Sequence, residues 1–149
     1  MNILLAIDVQ KEFSNNDGNY ERIVNFINNA KEYDKIVATR YLNTLGSNFV
    51  KYLNYTKCID GVYDLEFNPD LIIDKYGYGL KDYSIFSKEN HYDLIGLNTD
   101  ACVLKISFDL FDLGYDFNIL TDYCYSSSGL DAHLRGIEVM KSVFGSIVK

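Results

Sequence analysis

Residues 92–114 read YDLIGLNTDACVLKISFDLFDLG, and the order of patterns inside them decides the fold. Residues 92–97 are a short run, apolar except for Asp93 and without sustained alternation, as expected of a strand covered on both faces. Asn98-Thr99-Asp100 interrupts it with residues suited to capping a helix. From 100 to 113 the polar positions Lys105, Asp109 and Asp112 form one stripe, and nearly everything else is apolar. Gly114 follows where a helix C-terminal cap belongs. A buried strand feeding directly into a helix is the repeating unit of an α/β sheet.

Working outward, similar apolar, β-branched runs occur at 3–7, 35–39, 70–73 and 117–120, with a weaker one at 146–148. Ile23, Ile27 and Ala30 share a face of a helical segment reaching about Tyr33. Leu130, Leu134, Ile137 and Met140 mark the inward face of a last helix. Residues 41–68, rich in Asn and Tyr, show no sustained period and read as loop with short helical pieces. The pattern predicts a three-layer, Rossmann-like α/β fold. Its sheet is mostly parallel, with helices on both faces.

The 149 residues fit one domain, 1–149, long enough to bury a sizeable core. A net charge of -7 with no basic cluster argues against nucleic-acid binding. The three cysteines, Cys58, Cys102 and Cys124, have neither disulfide-framework nor metal-ligand spacing. The apolar start is too short for a membrane helix and lacks signal-peptide features, so the expected location is cytoplasmic, without membrane contact.

Ligands of an open parallel sheet bind beyond the carboxyl ends of its strands. Those ends carry Asp8, Arg40, Asp74-Lys75, Asn98 to Asp100, and Asp122. Cys102 falls in the first turn of the following helix, where free N–H groups and the dipole favour a thiolate and can hold an oxyanion. The plain alternative is a small buried hydrophobe, and the neighbouring Asp100 would raise the thiol pKa. Asp8 is a candidate base, or a loop residue capping the next turn. Lys75 is a candidate partner for Asp8, or a solvated strand end. A nucleophile, a base and a cation on one sheet edge follow the logic of covalent catalysis.

At these residues the sequence resembles the isochorismatase-like cysteine hydrolases, the family that includes nicotinamidases. Ile7-Asp8-Val9-Gln10-Lys11-Glu12-Phe13 is similar to its opening motif. Gly96-Leu97-Asn98-Thr99-Asp100-Ala101-Cys102-Val103 is similar to its nucleophile motif, Gly-x-x-Thr-Asp-x-Cys-Val. Lys75, Ser84-Ile85-Phe86 and His133 also fall in the family's order. The resemblance implies a six-stranded, mostly parallel sheet and an Asp8–Lys75–Cys102 triad that cleaves a small amide-type substrate through a thioester. It also implies an oxyanion hole from the N–H groups of Asn98 and Cys102, a cis peptide at Leu97-Asn98, and Phe13 lining the pocket. Tyr41, Tyr76 and Tyr78 are candidates for the rest of the lining, with Tyr41 and Tyr76 assigned to substrate binding.

The chain departs from the nicotinamidases in two places. Their metal is held by an Asp-x-His and a further His, whereas residues 39–57 contain no His. No metal and no other cofactor are therefore expected. Residues 86–92 also leave room for little more than a turn where the family has a helix. One pocket wall is then either missing or supplied by a second copy in a homo-oligomer. Phosphatase, response-regulator and dinucleotide-binding readings fail, because Gln10 stands where a second Asp is needed and no Gly-x-Gly-x-x-Gly follows the first strand. The remaining alternative is a degenerate family member that binds or assembles without catalysis.

Overall fold

A computed structural model describes residues 1–61 and 63–149. Five strands form one parallel sheet in the order β3-β2-β1-β4-β5. They are β1 (Asn2–Ile7), β2 (Lys35–Tyr41), β3 (Leu71–Lys75), β4 (His91–Leu97) and β5 (Asp116–Tyr125). The central strands lack alternation because both their faces are covered. On one face Leu4, Ala6, Ile95 and Leu97 pack against Ile23 and Ile27 of α1 (Asn19–Asn29). On the other, Ile3, Leu5 and Leu94 pack against Ile106 and Leu110 of α3 (Leu104–Asp112) and Met140 of α4 (Leu130–Phe144). The short helix α2 (Asn48–Leu53) lies in the long connection between β2 and β3, with Ser47 capping it through Val50 N–H.

Several expectations need correction. The sheet has five strands, not six. Within 146–148 only Val148 reaches it, through a single parallel bridge to Ile119. That tail is held as a 3-10 turn, Gly145–Ile147, instead. α1 ends at Asn29, short of Tyr33, where Ala30 leaves helical geometry. β3 runs on to Lys75, which is therefore the last strand residue. β5 extends past residue 120 because it bulges: Leu94 pairs with Ile119, yet Gly96 pairs with Cys124. The inward face of α4 is also rotated. Ala132, Gly136, Met140 and Phe144 are buried, whereas Leu130 and Leu134 are exposed.

Gly114 adopts the left-handed conformation just past α3, as its position implies. Between β3 and β4, residues 76–90 form no helix or strand, so that connection is short, as read from the sequence. No helix among the described residues is long and apolar enough to cross a membrane.

At the amino edge of the sheet, His91 bridges two carboxylates. Its Nδ1 lies 2.9 Å from Asp116 and its Nε2 lies 3.2 Å from Asp93. Burial opposes charge on this imidazole, but hydrogen bonds to Asp116 and Asp93 outweigh it and raise the pKa above its ordinary 6.5. A raised native pKa stabilises the fold below the unfolded value, and that contribution fades as pH climbs through the native value. His91→Gln is therefore expected to lower the thermal midpoint more at about pH 5.5 than at about pH 9. An equal loss at both would show that the imidazole charge does not contribute.

Candidate active site

The carboxyl ends of β1, β3 and β4 bring three reactive side chains together. Strand register does the placing: Ile7 pairs with Thr39, and Tyr41 pairs with Lys75. Asp8, the residue just after β1, and Lys75, the last of β3, thus project from the same edge across β2. Their side chains are only 1% and 2% exposed, and Lys75 Nζ lies 2.7 Å from Asp8 Oδ2. The other carboxylate oxygen of Asp8 accepts from the Thr39 hydroxyl at 2.6 Å. Lys75 also donates to the carbonyls of Gly77 (2.6 Å) and Tyr78 (3.2 Å), and to Cys102 Sγ at 3.3 Å. Both charges are thereby compensated, which burial demands.

Cys102 sits in a π-helical turn, Thr99–Val103, that leads into α3. Polar contacts pin this turn on three sides. Asn98 donates to the Ser127 hydroxyl at 2.8 Å and accepts from Ser127 N–H at 3.0 Å. Ser126 donates to Asp100 at 2.7 Å, and Thr99 Oγ1 lies 2.7 Å from His133 Nδ1. Burial and the nearby Arg22 lower the His133 pKa, so that imidazole is a neutral partner. The Leu97-Asn98 peptide is cis.

The thiol is not poised as a thiolate in the way the helix-start argument suggested. Burial pushes its pKa up, the charge of Asp8 pushes it further, and Lys75 pulls it back only in part. The carboxylate that matters is Asp8; that of Asp100 is occupied by Ser126. Burial opposes the charge on Lys75 too, but Asp8 outweighs it and raises the lysine pKa. Both shifts point the same way, toward a protonated thiol beside a protonated lysine.

These groups underlie a cleft of about 630 Å³. Phe13, Tyr41, Asn98 and Cys102, all anticipated from the sequence, line it. Tyr76 does not; it is exposed and lines an adjoining depression. Phe49, Tyr55 and Tyr78 complete an aromatic wall, with Phe49 5.1 Å from Tyr41 and 4.9 Å from Tyr78 between ring centroids. Of these, Phe49 and Tyr55 were not legible, because residues 41–68 offered no period to place them. Thr39 and Ser127 were also missed. Their signals are a hydroxyl at the end of an apolar strand and a Ser-Ser-Ser-Gly run just after another.

The residues beside the cleft do not fit a metal. Residues 39–57 contain no His, Cys, Asp or Glu, and the Asn43 amide is already committed. Its Nδ2 donates to the carbonyls of Tyr55 and Lys57, and its Oδ1 accepts from Thr44 N–H. Among the described residues, no three His, Cys, Asp or Glu side chains are grouped to hold an ion.

Gly96 sets how closely β4 approaches the residue before Asp8. Its φ is +130°, and a Cβ there would stand 2.0 Å from the carbonyl oxygen of Ile7. Backbone strain and overpacking each cost roughly 1–3 kcal/mol. Gly96→Ala is expected to lose at least about 3 kcal/mol in chemical denaturation, or to yield no soluble protein. Wild-type stability in that variant would refute the close approach.

Comparison with known proteins agrees with this geometry. Residues 2–149 match the Isochorismatase domain family model. Isochorismatase family protein 1B of Dictyostelium discoideum is 27% identical, over 93% of this chain and 69% of that protein. The fold is shared with a pyrazinamidase/nicotinamidase from Streptococcus mutans UA159, at TM-score 0.75, 20% identity and 100% coverage of both chains. It is also shared with an isochorismatase-like hydrolase from Alkaliphilus metalliredigens, at TM-score 0.76 and 18% identity, over 99% of this chain and 93% of that one. Matched by that family model over residues 2–149, this chain belongs to the isochorismatase family.

Proposed function

We propose that this protein is a metal-independent cysteine hydrolase that cleaves the C–N bond of an amide-type substrate. The observation that carries the proposal is the position of Lys75 Nζ, 2.7 Å from Asp8 Oδ2 and 3.3 Å from Cys102 Sγ, beneath an aromatic cleft. A surface ion pair would not need such burial, and a structural cysteine would not need such partners.

Asp8 takes the thiol proton as Cys102 Sγ attacks the amide carbonyl carbon. A neutral thiol beside a carboxylate suits this step better than a standing thiolate would, since the proton moves only as the new bond forms. The N–H groups of Asn98 and Cys102 receive the developing oxyanion, and Lys75 steadies the charge that passes between Asp8 and the sulfur. The C–N bond breaks, the amine leaves with the proton from Asp8, and a thioester remains. Asp8 then draws a proton from water, whose oxygen attacks the thioester. The carboxylic acid departs and the thiol is restored. One amide and one water thus give one acid and one amine.

Ammonia release from a panel of primary amides is expected to survive chelator. Cys102→Ala should abolish it, and Lys75→Met should cost about 10²–10⁴-fold in kcat/KM. Turnover retained in Cys102→Ala, or lost on chelation, would refute the proposal.

A further inference from the structure

A second depression, of about 700 Å³, adjoins the Cys102 cleft. The two share Phe49, Leu53 and Tyr78 as a common wall. The half-buried Phe49 ring is that wall's centre, touching Tyr41 on the inner side and Tyr78 at the boundary. Beyond it, Tyr52 is 68% exposed, Leu53 60%, Tyr76 55% and Tyr78 44%. No Asp, Glu, Lys or Arg lines this outer depression, although charged residues make up 23% of the chain. A concave, uncharged, aromatic surface continuous with a nucleophile is unlike the ordinary surface of a protein this acidic.

We propose that the outer depression is a second substrate subsite, and that the natural substrate is a primary amide with a long acyl group bearing two linked apolar rings. This deepens the hydrolase reading and rests on it. The direction of the substrate follows from where the proton must go. The leaving nitrogen must collect its proton from Asp8, whose side chain is 1% exposed and lies under the floor of the cleft. That side is closed, so it suits ammonia and not a bulky amine. The acyl group then points outward. Its first ring packs against Phe13 and Tyr41, and its second passes Phe49 to lie against Tyr52 and Tyr76. Lys105 and Asp100 line the inner cleft, and Lys51 Nζ lies 4.9 Å from the centre of the Tyr52 ring, so the aromatic walls and not an absence of charge carry the recognition.

The test is equilibrium binding to the Cys102→Ala protein, which separates recognition from turnover. Calorimetry would compare benzamide with biphenyl-3-carboxamide and biphenyl-4-carboxamide. At least one biphenyl amide is expected to bind about tenfold more tightly than benzamide. Adding Tyr52→Ala and Tyr76→Ala, both at exposed positions, should bring the two affinities within about twofold. Equal affinities in the parent, no binding of any compound, or an advantage that survives both substitutions would overturn the subsite. Wild-type ammonia release distinguishes the two claims. Release from benzamide without a biphenyl preference would leave the hydrolase standing and remove the subsite. Tight biphenyl binding without release of ammonia from any bound amide would do the reverse.

Discussion

The ion pair between Asp8 and Lys75 is the constraint on which the rest of this structure depends. Two charges are taken almost wholly out of water, and desolvation of each costs several kcal/mol. Their mutual attraction repays this only when the remaining polar atoms are also satisfied. Here they are, because the Thr39 hydroxyl serves the carboxylate while the carbonyls of Gly77 and Tyr78 serve the ammonium. Such a pair is poor evidence of stability, since an apolar replacement would often serve the fold as well. It is better evidence of chemistry, because it holds a base and a cation at fixed distance from a thiol. Three neighbouring strands must keep their register for the pair to form, so the parallel sheet is the device that builds the site.

The nucleophile turn is the second requirement. A cysteine at a strand-to-helix junction can move by an ångström if the turn flexes, and that would open the 3.3 Å contact with Lys75. The turn is tied to the start of α4 and the end of β5 by Asn98, Thr99 and Asp100, each through its own side chain. Gly136 of α4 completes the arrangement by packing: a Cβ there would stand 3.0 Å from the Asp100 backbone. The serines after β5 and the small residues on α4 are therefore part of the site, although none of them touches the sulfur.

How much of this could be read in the sequence depended on which physical signal each part carried. The buried strands at 3–7, 35–39 and 92–97 are legible because a strand covered on both faces is mostly apolar and lacks alternation, even where Lys35 or Asp93 interrupts it. Asp8, Lys75 and Cys102 were legible for a related reason: each is a reactive residue at the end of such a run. The inward face of α4 is not the one its leucines mark. Close packing against the nucleophile turn instead demands Ala132 and Gly136, which leaves Leu130 and Leu134 outside. The run at 146–148 has strand composition, but its first two residues turn as a 3-10 helix, so only Val148 meets the open edge of β5, with Lys149 exchanging backbone hydrogen bonds with Ile119 and Thr121. The aromatic wall was half legible. Tyr41 ends a strand and could be placed, whereas Phe49 and Tyr55 lie in a connection held by Asn43 and Ser47, whose hydrogen bonds leave no periodic trace. Tyr76, one residue past β3, points to the outer depression and not to the sulfur.

The most direct measurement is the rate of Cys102 alkylation by iodoacetamide against pH, read by mass spectrometry of the Cys102 peptide. It needs no substrate, and Cys58 and Cys124 are buried and do not compete. If the buried pair governs the thiol, the wild-type midpoint lies above that of a free cysteine. Asp8→Asn should then lower it, and Lys75→Met should raise it, each by about one unit or more. A midpoint that stays put in both variants would contradict the coupling of Asp8, Lys75 and Cys102, and with it the catalytic reading of this cleft.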